Sequence, residues 1–302
     1  MDILKTKICK KELTSPFMLG SGTLGEKKEI LIKALNYGAG AVVNRSLRVT
    51  PSNRKVFNPA YYIEEKYMLN ADNQNITPWT YWVENAKEIE KTGPLVISMS
   101  ARNPQDCKTI VEAFEKKHSP SFYELNFSCS HSAKLYGRIS YEQVETALTF
   151  IKEQSKTPVF LKLSLDSLDI ENLKSLEEKK LLDAYVLSNT IGPGLKIDLK
   201  TRQPVLESTY GGLSGAAIKP LVLAAINELK QTVTKPVIGV GGIESAEDAL
   251  EYLIVGCDAL QVYTKAHREG IHVFQTLNTD LKILLEDMHE TVESIKGSIK
   301  RR

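Results

Sequence analysis

Six consecutive residues, Asn126-Phe127-Ser128-Cys129-Ser130-His131, crowd an amide, hydroxyls, a thiol and an imidazole into one short stretch. An amide both donates and accepts, so Asn126 can read a hydrogen-bonding ligand, and the thiol of Cys129 can move a proton. The stretch follows Ser121-Phe122-Tyr123-Glu124-Leu125, which reads as a buried strand, so the polar cluster falls where a strand ends and a loop begins. The plain alternative is a polar loop holding a chance cysteine.

Other candidates lie along the chain. Lys162 sits at the end of the apolar run Pro158-Val159-Phe160-Leu161-Lys162-Leu163. A lysine there either snorkels to solvent or points into a pocket, where an anionic ligand would partner it. Arg45 has the same ambiguity. Asn70, Asn126 and Asn189 fall in three separate loops; singly each caps a loop, and together they suit a planar ring with alternating N–H and C=O groups. Gly211-Gly212-Leu213-Ser214-Gly215 is expected to open a helix, and Gly239-Val240-Gly241-Gly242-Ile243 ends a strand just before another helix. Bare backbone N–H groups at helix starts bind phosphate, and glycine lets it approach closely. With Tyr263-Thr264 at the end of the last strand, these glycines point to a phosphate-bearing ligand.

The elements that must position these groups alternate. Apolar runs at Phe17–Leu19, Ala41–Asn44, Leu95–Met99, Phe122–Asn126, Val159–Leu163, Ala184–Ser188, Val237–Val240 and Ala259–Val262 have the continuous hydrophobicity of strands covered on both faces. Between them run amphipathic patterns at Lys27–Tyr37, Asp106–Lys117, Glu142–Gln154, Ile170–Lys179, Ala216–Gln231, Ala246–Ile254 and Val273–Met288. Eight β-α repeats predict a (β/α)8 TIM barrel in one domain over residues 1–302, with an open doubly wound sheet as the competitor. Two connections, from Arg45 to about Trp82 and from Ile191 to about Gly212, are too long for plain barrel loops and are expected to pass over the C-terminal mouth. In a barrel, residues just past the strands share one pocket. This adds Gly20 and Ser21 after the first strand, Ser46 after the second, Ser98 and Ser100 after the third, and Thr190 after the sixth.

Bulk properties narrow the function classes. The net charge is only +2 over 302 residues, and no basic stripe of the kind nucleic-acid binding needs is present. No apolar run approaches the roughly 20 residues of a membrane span, and Met1-Asp2-Ile3-Leu4-Lys5 has no signal-peptide character. The four cysteines, Cys9, Cys107, Cys129 and Cys257, show no metal spacing, which is expected of free thiols in a reducing cytoplasm.

Taken in order, the motifs resemble the dihydroorotate dehydrogenases, specifically the soluble class. The likeness runs through Ser15-Pro16-Phe17-Met18, Ser21-Gly22-Thr23, Met68-Leu69-Asn70, Asn126-Phe127-Ser128-Cys129, Lys162-Leu163, Ser188-Asn189-Thr190, Gly211 to Gly215, Gly239 to Ile243, and Leu260-Gln261-Val262-Tyr263-Thr264. The resemblance implies an FMN-containing barrel that oxidises dihydroorotate to orotate in pyrimidine synthesis. It assigns Cys129 as the base at C5 of the ring, with the C6 hydride passing to flavin N5. Lys162 falls at the flavin N1/O2 edge. Asn70, Asn126, Asn189 and Thr190 fall around the pyrimidine, joined by Arg45 and His131. Gly20, Ser21, Arg45, Ser46, Asn126 and Lys162 fall on the flavin, and Gly211, Gly212, Gly241, Gly242, Tyr263 and Thr264 on its phosphate. The membrane-bound class uses serine as base and carries an N-terminal extension, so Cys129 points away from it.

The departures cluster on the substrate side. Asn44-Arg45-Ser46 replaces a Thr-Lys-Thr/Ser pattern, and arginine's planar fork is not interchangeable with an ammonium. Only Asn58-Pro59 survives of a longer loop motif, Ala71-Asp72-Asn73 follows Asn70 where the family has an apolar residue and glycine, and His131 replaces an asparagine. Tyr263 stands where the family has glycine. A carboxylate at Asp72 repels an orotate carboxylate unless it points away. An alternative is therefore a related flavin oxidoreductase acting on another dihydropyrimidine, of the dihydrouracil or dihydrothymine type; a third is a flavin-binding partner subunit with little catalysis of its own. The electron acceptor is either fumarate or a partner iron–sulfur flavoprotein that reduces NAD, with Lys265 to Gly270 looking more like the fumarate branch. A homodimer is expected from the resemblance.

Overall fold

A computed structural model describes residues 3–49, 61–71, 77–127 and 139–300. An antiparallel hairpin, β1 (Thr6–Ile8) and β2 (Lys11–Leu13), opens the fold. Among the described residues eight parallel strands then close into a barrel: β3 (Phe17–Leu19), β4 (Ala41–Val43), β7 (Leu95–Ser100), β8 (Phe122–Asn126), β9 (Val159–Leu163), β10 (Ala184–Leu187), β13 (Val237–Val240) and β14 (Ala259–Val262). These are the eight runs expected from the sequence, and the fold is a (β/α)8 barrel, with β14 pairing β3 to shut the ring.

The helices follow the strands as α1 (Lys28–Asn36), α2 (Trp79–Glu90), α3 (Pro104–Lys117), α4 (Tyr141–Gln154), α5 (Ile170–Glu178), α6 (Lys219–Leu229), α7 (Ala246–Ile254), α8 (Thr264–Glu269), α9 (Val273–Asp287) and α10 (Val292–Ile295). Local chemistry sets several starts. Asn103 accepts from the Gln105 N–H with Pro104 in the first turn of α3, and Ser140 and Ser245 form reciprocal capping boxes on α4 and α7. Helix α2 was not legible because Pro78 precedes it and no side chain caps it. Its signal is the periodic set Trp82, Val83, Ala86 and Ile89, all buried.

Both long connections leave the barrel. Their strands β5 (Tyr61–Ile63), β6 (Met68–Asn70), β11 (Ile191–Gly194) and β12 (Gly211–Ser214) pair antiparallel in the order β11-β12-β6-β5. The two excursions thus build one sheet, which contributes Tyr61, Met68, Asn70 and Ser214 to the same cavity as the barrel strand ends.

Alternation along the strands divides the core. Tyr123, Leu125, Leu161 and Leu163 pack outward under the helices, while Met18, Val96, Phe122, Phe160, Val186, Ile238 and Ala259 fill the barrel with Ile8 and Leu13 of the hairpin. Moving toward the C-terminal ends, the inward positions change character: Phe122 is followed by Glu124 and Asn126, Phe160 by Lys162, Val96 by Ser98, and Ala259 by Gln261. An apolar plug thus supports a polar layer. The Phe122 and Phe160 rings lie 4.8 Å apart in the plug. Phe160→Ala is expected to destabilise the protein by about 3–5 kcal/mol, read from chemical denaturation.

Candidate active site

The polar layer is one connected hydrogen-bond system. Glu124 is fully buried and accepts from Ser98 Oγ at 3.0 Å and Gln261 Nε2 at 2.7 Å. Lys162 Nζ donates to Gln261 Oε1 at 2.9 Å and lies 3.8 Å from Glu124 Oε1. The Gln261 amide therefore bridges ammonium and carboxylate, and its two ends have one consistent assignment. A second chain runs to the same carboxylate. Asn189 Nδ2 donates to Asn126 Oδ1 at 3.0 Å, and Asn126 Nδ2 donates to Ser46 Oγ at 3.0 Å. Ser46 Oγ meets Ser98 Oγ at 2.9 Å. Because Ser98 gives its proton to Glu124, Ser46 is the donor in that pair. Asn44 Oδ1 fixes the Ser98 backbone N–H at 2.7 Å.

Above this layer one cavity brings together most of the residues expected from the sequence: Gly20, Ser21, Arg45, Asn70, Asn126, Lys162, Asn189, Thr190, Gly241, Gly242, Tyr263 and Thr264 all line it. Ser46 lies in the network that supports Asn126. Gly211 and Gly212 are placed differently from expectation: they do not open a helix but belong to β12, where Gly212 pairs with Asn70. A Cβ on Gly212 would fall 2.2 Å from Thr190 Oγ1, and one on Gly211 would fall 2.9 Å from the Asn70 carbonyl oxygen, so these glycines serve close strand packing. Cys129, His131, Asp72 and Asn58-Pro59 lie outside the described residues.

Arg45 is held by an ion pair from Nη1 to Glu26 Oε1, with both side chains largely buried. Gly241 and Gly242 turn the chain out of β13 with φ of 135° and 68°. A Cβ on Gly242 would lie 2.9 Å from the Gly215 carbonyl oxygen, so only glycine makes this turn. Thr264 Oγ1 donates to Ser214 Oγ at 3.0 Å beside it. Glu244 also lines the cavity; burial raises its carboxyl pKa against the opposing pull of Arg268, whose Nη2 sits 2.6 Å away.

Tyr263 resolves one departure. Its hydroxyl accepts from the Thr23 N–H at 2.9 Å and meets Thr23 Oγ1 at 2.8 Å. Its ring fills the space beside Gly22, where a Cβ would come within 2.2 Å of Cε2. His267 lies over it with centroids 5.7 Å apart, and Tyr61 stacks on His267 at 5.3 Å. The tyrosine thus anchors the loop after β3.

Sequence reasoning missed Glu124, Gln261, Glu26 and Ser188. The first two carried a signal: each is a lone polar residue inside an apolar strand, in phase with the inward positions. Ser188 lines the cavity, and its buried Oγ has no hydrogen-bond partner among the described residues. Leaving such a group unsatisfied costs about 1–3 kcal/mol, so the cavity fits a ligand with a polar edge. A buried ammonium, three amides and this hydroxyl suit the nitrogen and carbonyl edge of a flavin. The described cysteines are unsuited to proton transfer: burial pushes the Cys9 and Cys107 thiols up to about 12, and Cys257 is also raised.

The dihydroorotate dehydrogenase family model matches residues 3–285, and the chain belongs to that family of oxidoreductases, which implies a flavin cofactor. Among curated relatives, a protein of Thermoplasma volcanium is 33% identical over 309 residues, covering 100% of both chains. One of Methanothermobacter thermautotrophicus is 31% identical over 301 residues and 98% of each chain, and one of Pyrococcus furiosus is 32% identical over 289 residues and 94% of each chain. All three are named dihydroorotate dehydrogenase B (NAD(+)), catalytic subunit. Those relatives carry NAD-linked names, whereas residues 265–270 of this chain look more like the fumarate branch. No helix among the described residues is long and apolar enough to cross a membrane.

Tyr263→Phe removes the acceptor for the Thr23 N–H and is expected to lower stability by about 1–3 kcal/mol. Gly22→Ala is expected to be destabilising in the wild type and much less so with Tyr263→Gly, which a double-mutant cycle of unfolding free energies measures.

Proposed function

We propose that this protein oxidises dihydroorotate to orotate with FMN, as the catalytic subunit of a two-component cytoplasmic enzyme. The observation that carries the reading is the buried Lys162–Gln261–Glu124 system at the floor of the cavity, in a chain of this family. Bound FMN supplies the hydride acceptor, its N5. Lys162, at the cavity floor, would stabilise the negative charge that reduction adds to the bound ring. Asn126 and Asn189 are fixed by their mutual hydrogen bond, which orients both amides before a pyrimidine binds; Asn70 and Thr190 complete its cradle. The turn at Gly241 and Gly242, with the backbone at Tyr263 and Thr264, receives the phosphate. Gly20, Ser21 and Ser188 flank the ring system.

Cys129 follows β8 by three residues and would take the C5 proton as base as the C5=C6 double bond forms, the bound flavin being the group that would supply the two-electron acceptor. His131 joins the substrate side. Electrons would pass on to a partner iron–sulfur flavoprotein and then NAD, with the barrel chain paired as a homodimer within that assembly; the relatives' names, which print NAD(+) and a catalytic subunit, support the acceptor and the need for a second component. A second reading, another dihydropyrimidine as substrate, is favoured by one observation: Arg45 is already engaged by Glu26, so a substrate carboxylate must share it.

Anaerobic addition of dihydroorotate to the purified yellow protein decides between the two. Bleaching supports the leading reading; persistence of the yellow colour, with bleaching by dihydrouracil or dihydrothymine, supports the second. Cys129→Ala is expected to retain FMN and lose about 10²- to 10⁴-fold in the rate of flavin reduction near neutral pH; an unchanged rate excludes Cys129 as the base. Arg45→Lys is expected to keep activity if charge alone is used, and steady-state turnover measures this.

A further inference from the structure

Glu124 is a fully buried carboxylate that does not itself line the cavity. Lys162 and Gln261 line the cavity; Glu124 lies one layer beneath and meets both. We propose that Glu124 sets the reduction potential of the bound cofactor by offsetting the charge of Lys162, an inference that rests on the flavin reading above. It is a positioning residue that acts through Lys162 and Gln261.

The geometry admits few other roles. Replacing a buried ion pair by apolar side chains is often neutral or stabilising, so burying this charge is not by itself a stabilising device. The inward positions beneath it, Phe122 and Phe160, belong to an apolar plug that needs no charge. Glu124 is also held in place with care. Ser98 Oγ binds one oxygen and Gln261 Nε2 the other, and Ser98 is itself fixed by Asn44 and Ser46. The carboxylate is therefore locked at 3.8 Å from the ammonium, sealed from water, where a charge acts with little screening.

The sign follows from electrostatics. Reduction adds negative charge to the cofactor, and Lys162 stabilises it. Glu124 counters part of that stabilisation, lowering the potential so that electrons leave for the next acceptor. Gln261 transmits the arrangement: with its nitrogen on the carboxylate and its oxygen on the ammonium, the amide cannot turn without losing both bonds.

Redox titration of the flavin-loaded chain against a dye of known potential tests this. Glu124→Gln keeps the shape and removes the charge. It is expected to shift the two-electron reduction equilibrium at least tenfold toward the reduced cofactor, a rise of about 30 mV. Glu124→Asp, which keeps the charge, is expected to stay nearer the wild type. A Glu124→Gln protein that folds and binds flavin with an unmoved or lowered potential overturns the proposal. Should that variant fail to fold, Ser98→Ala decides: removing one neutralising donor from the carboxylate is expected to lower the potential, and an unmoved or raised value overturns the proposal. A wild-type chain that stays colourless with FMN overturns the flavin reading itself, and this inference with it.

Discussion

An ammonium and a carboxylate, both almost sealed from water, face each other through a glutamine amide in the upper layer of the barrel. Burying either charge alone would cost several kcal/mol, and their attraction offsets that cost only when the remaining donors and acceptors are met. The rest of the structure supplies those partners. Ser98 binds the carboxylate, Asn44 and Ser46 hold Ser98, and Asn126 and Asn189 extend the chain to the cavity wall. They come from, or from just past, four strands, β4, β7, β8 and β10, and connect through Glu124 to Gln261 of β14 across the barrel, so the network exists only when the barrel is closed in the right register.

The layering below and above follows from this constraint. The apolar plug formed by Phe122, Phe160, Met18 and the N-terminal hairpin keeps water from the charges from one side. The sheet made by the two excursions stands over the other side, and its strands approach closely because Gly211 and Gly212 have no side chains to hold them apart. Glycine is thus used twice, for packing in β12 and for the turn after β13.

Much of this was legible in the sequence. The eight barrel strands were visible because strands covered on both faces read as unbroken apolar runs, and the strand-end rule then gathered Asn126, Lys162, Asn189 and the Gly241-Gly242 turn into one pocket. The excursion sheet was not legible, since its strands are only three or four residues long, too short for a periodic signal, and β11 and β12 are rich in glycine. Gly211-Gly212 was misread for the same reason: a glycine pair before a helix looks alike whether it is a turn or a strand. Arg45, marked as a departure from the family, gains its meaning only from Glu26, nineteen positions earlier, a pairing that no local pattern announces. Glu124 was hidden by its neighbours, because a single acid in a buried strand is easily taken for an edge residue until its partners on other strands are seen.

The central claim is that this buried polar system serves a ligand rather than the fold. The direct test is the unfolding free energy of the flavin-free protein, and its increase on adding FMN, in the wild type and in the triple variant Glu124→Met/Lys162→Met/Gln261→Met. The account predicts a flavin-free triple variant at least as stable as the wild type, with most of the FMN-induced stabilisation lost. A triple variant that is several kcal/mol less stable, yet gains as much from FMN as the wild type, would contradict it.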